Sequence, residues 1–70
     1  MANRIVFTKA TMMDRILEQL GNGVMSGANI KRAILEEEGF NGLFEAALTR
    51  LKEDYLVIDW DVTGNLLKLP

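Results

Sequence analysis

Between Asn41 and Pro70 the apolar residues change period, and that change constrains the chain more than any other feature. Phe44, Ala47, Leu48 and Leu51 recur at helical spacing and make one apolar stripe. Asn41 stands ahead of them as an N-cap, where its side-chain oxygen would accept from a first-turn N–H that has no helical partner. The pattern then becomes that of strands. Leu56-Val57-Ile58-Asp59-Trp60 is β-branched and aromatic, Thr63-Gly64-Asn65 has turn chemistry, and Leu66-Leu67-Lys68-Leu69 is a second short strand. The prediction is a helix that runs directly into a two-stranded ribbon.

Upstream, Thr11 with Asp14 matches a helix start, a capping box with Asp in place of Glu. From Met12 on, Met12, Met13, Ile16, Leu17 and Leu20 share one arc, with Asp14, Arg15, Glu18 and Gln19 on the other, until Gly21-Asn22-Gly23 stops the helix. Ser26 reads as the N-cap of a second helix, Gly27 to Glu38, which Gly39 ends. Ile30, Ala33 and Ile34 form its buried stripe. Leu35 lies off that stripe, which predicts a helix that meets core on two sides. Only Phe40 and Asn41 remain before the third helix, a turn short enough to hold two helices at a steep angle. Arg4-Ile5-Val6-Phe7-Thr8 has strand propensity without a sequence neighbour, and reads as an extended arm, an edge strand or part of a dimer contact.

The junction Ala47-Leu48-Thr49-Arg50-Leu51-Lys52-Glu53-Asp54-Tyr55-Leu56-Val57 (leucine, two spacers, leucine, a charged turn, then Leu-Val) resembles the helix-to-wing junction of the winged helix-turn-helix family. The resemblance covers nearly the whole chain. It implies an α+β winged helix-turn-helix fold, with three helices followed by a C-terminal two-stranded β-hairpin, the wing. It also implies a single domain over residues 1–70, with 1–10 as an arm or short strand, and a short strand at Val24-Met25 laid against the wing. Tyr55 departs from the pattern, because the family often has Gly there in a left-handed conformation. With Tyr in place, either Asp54 takes that conformation or the helix unwinds differently.

Seventy residues, 49% hydrophobic and 26% charged, are the composition of one small globular domain. The chain contains neither cysteine nor histidine, so thiolate and imidazole chemistry are unavailable to it. No metal-ligand spacing or phosphate-binding glycine loop stands out, and the expectation is a non-enzyme without cofactors. No apolar run reaches the roughly 18 residues of a membrane span. A cytoplasmic protein that does not bind membrane is expected.

As the resemblance implies, the leading functional expectation is a small DNA-binding transcriptional regulator. In such folds the third helix enters the major groove of double-stranded DNA, the second leans on the backbone and the wing reaches phosphate. The outward residues of the third helix are Gly42, Glu45, Ala46, Thr49, Arg50 and Glu53. Of these, Thr49 and Arg50 are natural base or phosphate partners, and Glu45 could accept from a cytosine amine. Lys31 and Arg32 on the second helix, Asn41, Lys52, and Asn65 with Lys68 on the wing complete the candidate DNA-binding set, with Arg4 and Lys9 as an arm. So few cations per chain imply a homodimer on a two-fold site.

Eight basic against ten acidic residues, net −2, favour a second expectation: an acidic module that binds a basic protein surface, for example as a phosphate-mimicking inhibitor. Its candidate residues are Glu36, Glu37, Glu38, Asp59, Asp61 and Val62. The three glutamates crowd a helix C-terminus, where negative charge opposes the macrodipole. Asp59 and Asp61 would alternate outward from the first ribbon strand, and Val62 would stand at the ribbon tip. Leu43 is more apolar than full exposure requires. Met12, Met13 and Trp60 are expected in the core, with Trp60 packing the ribbon onto the helices. The plainer reading of any single surface charge is an ordinary solvated side chain.

Overall fold

A computed structural model describes residues 8–61, 63 and 65–70. The order of elements is α1 (Lys9–Leu20), β1 (Met25–Ser26), α2 (Gly27–Glu38), α3 (Phe44–Glu53), β2 (Ile58–Asp59) and β3 (Leu66–Lys68). The strands form one antiparallel sheet in the order β1-β3-β2, with Met25 opposite Leu67 and Ile58 opposite Lys68. This is an α+β fold of three helices and a small three-stranded antiparallel sheet, compatible with a helical domain that carries a C-terminal hairpin as its wing, and β1 pairs with that hairpin one residue later than expected.

The first helix starts a turn earlier than Thr11 suggests. Thr8 is the N-cap, in extended conformation, and its hydroxyl oxygen accepts from the Thr11 N–H at 3.2 Å. Lys9 and Ala10, both good helix formers, extend the helix back to that cap. Arg4, Ile5, Val6 and Phe7 lie outside the described residues. The second helix begins and ends as expected: Ser26 accepts from the Asn29 N–H at 3.1 Å, and Gly39 closes it at φ 71°.

Asn41 does not cap α3 with its side chain. Its backbone carbonyl accepts from the Phe44 N–H at 3.1 Å, and Leu43 occupies the N-cap position with no side-chain cap bond. The Phe40 ring lies on Gly42 so closely that a Cβ there would come within 2.9 Å of it. The turn between α2 and α3 is therefore set by a ring on a glycine.

The end of α3 resolves the Tyr55 question in a third way. Tyr55 itself adopts the left-handed conformation, φ 59°. Its N–H donates to the Lys52 carbonyl at 3.1 Å, and the Leu56 N–H donates to the Leu51 carbonyl at 2.9 Å. These are the two bonds of a Schellman motif, formed here without glycine. The Val57 N–H also donates to Leu51, at 3.3 Å. Leu56 and Val57 thus belong to the helix exit, which shortens β2 to Ile58–Asp59.

Met12, Ile16 and Leu20 from α1, Ile30 and Ile34 from α2, Phe44, Ala47 and Leu51 from α3, and Val57 and Leu67 from the ribbon are buried as one cluster. Met13, Leu17, Met25, Leu43 and Leu48 pack half-buried against it. Two expectations fail. Leu35 is exposed, so α2 does not use that side for core. Trp60 is 55% exposed. The reason is strand alternation: Leu67 and its partner Asp59 lie on the helix side, so Trp60, one residue on, points away from it.

Candidate nucleic-acid interface

Helical geometry turns Phe44, Ala47 and Leu51 into the core and leaves Glu45, Ala46, Thr49, Arg50 and Glu53 exposed on the opposite face of α3, with Gly42 exposed just before the helix. The outward set expected from the apolar stripe is the set observed. No described element covers it.

The cations around this face are tethered. Lys31 Nζ on α2 lies 3.4 Å from Glu45 Oε1 in the first turn of α3, and 5.9 Å from the centroid of the Phe44 ring. Arg50 Nε donates to Asp54 Oδ2 at 3.0 Å, one turn along the same helix. That hydrogen bond, reinforced by the carboxylate charge, raises the Arg50 pKa above its ordinary value. Lys52 Nζ reaches Asp59 Oδ1 at 3.1 Å and so ties α3 to the wing. Lys68 Nζ sits 4.8 Å from the centroid of the ring of Trp60, which directly follows β2. Arg32 is exposed. These contacts place Lys31 beside the start of α3, and Lys52 and Lys68 at the wing.

Asn41 is half-buried in the turn, and Asn65 is exposed at the start of β3. The Asn65 N–H donates to Asp61 Oδ1 at 3.1 Å, and its carbonyl accepts from the Gly27 N–H at 3.3 Å. Lys9 opens α1 and is exposed.

The acidic candidates are largely occupied within the chain. Glu38 accepts from Arg15 Nε at 2.6 Å, and Glu37 accepts from Gln19 Nε2 at 3.0 Å, so two of the three glutamates bind α2 to α1. Glu36 is exposed. Asp61 does not project outward as expected. Its Oδ1 accepts from the N–H groups of Asn65 and Leu66, and its Oδ2 accepts from the Thr63 hydroxyl at 2.6 Å, so the side chain holds the hairpin turn. Asp59 faces the helix side and pairs with Lys52. Val62 lies outside the described residues. The role of Arg15 was not foreseeable from the sequence, since its bond to Glu38 spans 23 residues.

Among the described residues, no group of three acidic side chains is arranged to hold a metal ion, and no helix is long and apolar enough to cross a membrane. No family model, curated protein or solved structure matches the chain.

Proposed function

We propose that this chain is a small DNA-binding transcriptional regulator that reads duplex DNA with the outer face of α3. The observation that carries the reading is the uncovered Thr49 and Arg50 face of α3, with Lys31 beside its first turn and Lys52 joined to the wing through Asp59. Arg50 is the base or phosphate contact at the centre, Thr49 assists it, and the lysines and Arg32 neutralise backbone.

The ion pairs that tether these cations do not argue against that role. Lys31–Glu45, Arg50–Asp54 and Lys52–Asp59 are all exposed pairs, a class worth little because water and salt screen them. Phosphate displaces such a carboxylate at small cost. The acidic candidates are engaged in the same exposed way, Glu38 with Arg15, Glu37 with Gln19 and Asp59 with Lys52, while Asp61 is occupied in holding the hairpin turn.

Selection of binding sites from a random duplex pool tests the proposal. The expected result is enrichment of a two-fold-related sequence with half-sites about one helical turn apart, lost in Arg50→Ala. A pool with no enrichment, together with no duplex retained at low salt, would overturn it.

A further inference from the structure

Two asparagines of this chain are followed directly by glycine: Asn22-Gly23 after α1 and Asn41-Gly42 before α3. Asparagine is a thermolabile residue, and a following glycine has no side chain to hinder ring closure between the two. Closure begins at the glycine backbone nitrogen, which must lose its proton and swing toward the side-chain carbonyl carbon of the asparagine. A hydrogen bond from that N–H opposes both motions.

The two pairs differ in that hydrogen bond. The Asn22 N–H donates to the Gln19 carbonyl at 3.2 Å and the Gly23 N–H to the Leu20 carbonyl at 3.1 Å, so the end of α1 holds both peptide planes. Neither the Gly42 N–H nor the Asn41 side chain has a hydrogen-bond partner among the described residues. The Asn41 carbonyl alone is engaged, by the Phe44 N–H at 3.1 Å. Exposure favours the opposite order, since Asn22 is exposed and Asn41 half-buried. Access and backbone bonding therefore pull in opposite directions, and bonding acts on the reacting nitrogen itself.

The geometry points to Asn41-Gly42 as a site of self-modification, at which Asn41 deamidates ahead of Asn22 in the folded chain. The Gly42 nitrogen bonds to Asn41 Cγ, the Cγ–Nδ2 bond breaks, and ammonia leaves with the proton that the nitrogen gives up. Water then opens the cyclic imide at either of its carbonyls, which leaves aspartate or isoaspartate. Nothing is oxidised or reduced, and water is the one co-reactant. Either product puts a carboxylate where a neutral amide stood, just ahead of the first turn of α3 and its Glu45. Negative charge at that end suits the helix macrodipole, so the aspartate form keeps the fold. In the DNA-binding reading, on which this consequence alone rests, the same charge repels the phosphates that α3 approaches.

The test holds the folded protein in mildly alkaline buffer and follows its tryptic peptides by mass spectrometry. Asn41 is the one asparagine of the peptide 33–50, and Asn22 lies in 16–31, where fragmentation separates it from Asn29. Asn41 should convert severalfold faster than Asn22. In denaturing urea, where no backbone bond protects Gly23, the two rates should converge. Equal rates in the folded protein, a faster Asn22, or a preference for Asn41 that persists in urea would overturn the inference. Asn41→Asp should keep or raise the thermal midpoint and bind random duplex severalfold more weakly than fresh protein; equal binding would overturn the consequence for DNA. Conversion of Asn41 in a protein that retains no duplex at low salt upholds the modification and removes the DNA reading, whereas duplex binding with Asn41 left intact does the reverse.

Discussion

Arg15 on α1 and Glu38 in the last turn of α2 meet at 2.6 Å, Nε to Oε1, and this contact explains why three glutamates can crowd an unfavourable helix end. Glu18 engages the same guanidinium. The hydrogen bonds to Glu38 and then Glu18 raise the Arg15 pKa, so the folded state holds the cation more tightly than the unfolded chain does. The stabilisation is present below the unfolded pKa and is lost only in strong alkali, so Arg15 stays charged through the physiological range. Glu38→Gln should lower the thermal midpoint. Glu36→Gln should leave it unchanged or raise it, since Glu36 only opposes the dipole. Thermal unfolding of the two variants checks the contrast, and equal effects would contradict it.

Tyr55 is 79% exposed and left-handed. A non-glycine residue in that conformation costs about 1–2 kcal/mol, partly offset in a Tyr55→Gly variant by the greater freedom of glycine in the unfolded chain. The variant should gain about 0.5–1 kcal/mol in urea unfolding. A loss would mean that the Tyr55 ring packs in the fold.

Much of the fold was legible because hydrophobic period reports directly on burial. Ile16, Ile34 and Leu51 were placed on apolar stripes by spacing alone and are fully buried. Capping was less legible. Thr8 and Thr11 are both residue types that cap helices, and α3 starts after Leu43 without the side-chain cap that Asn41 offers, which no propensity encodes. Trp60 was misplaced because its size argued for core while the strand register, set by Leu67, turned it outward. At the candidate site, the outward face of α3 followed from the same stripe. The pairings Lys31–Glu45 and Lys52–Asp59 join separate elements and appear only once the chain is folded.

Leu51 is buried, and its carbonyl accepts from both Leu56 and Val57. Leu51→Ala should cost about 2–5 kcal/mol. Leu48→Ala, at a half-buried position, should cost distinctly less. Chemical denaturation ranks the two, and the reverse order would misplace the inner face of α3.

Glu45 and Asp54 hold two of the cations assigned to DNA. Glu45→Gln combined with Asp54→Asn should tighten binding to random duplex by about two- to tenfold, because repulsion from phosphate is removed and Lys31 and Arg50 are released. Fluorescence anisotropy at fixed salt measures this, and weakened binding would show that the carboxylates position the cations for DNA.

The salt dependence of duplex binding bears most directly on DNA recognition by this chain. If Lys31, Arg32, Arg50, Lys52 and Lys68 each neutralise one phosphate, log K should fall against log salt with a slope of about −4 to −5 per chain, and Arg50→Ala should flatten it by about 0.9. A slope near zero, or one unchanged by losing Arg50, would contradict recognition through α3.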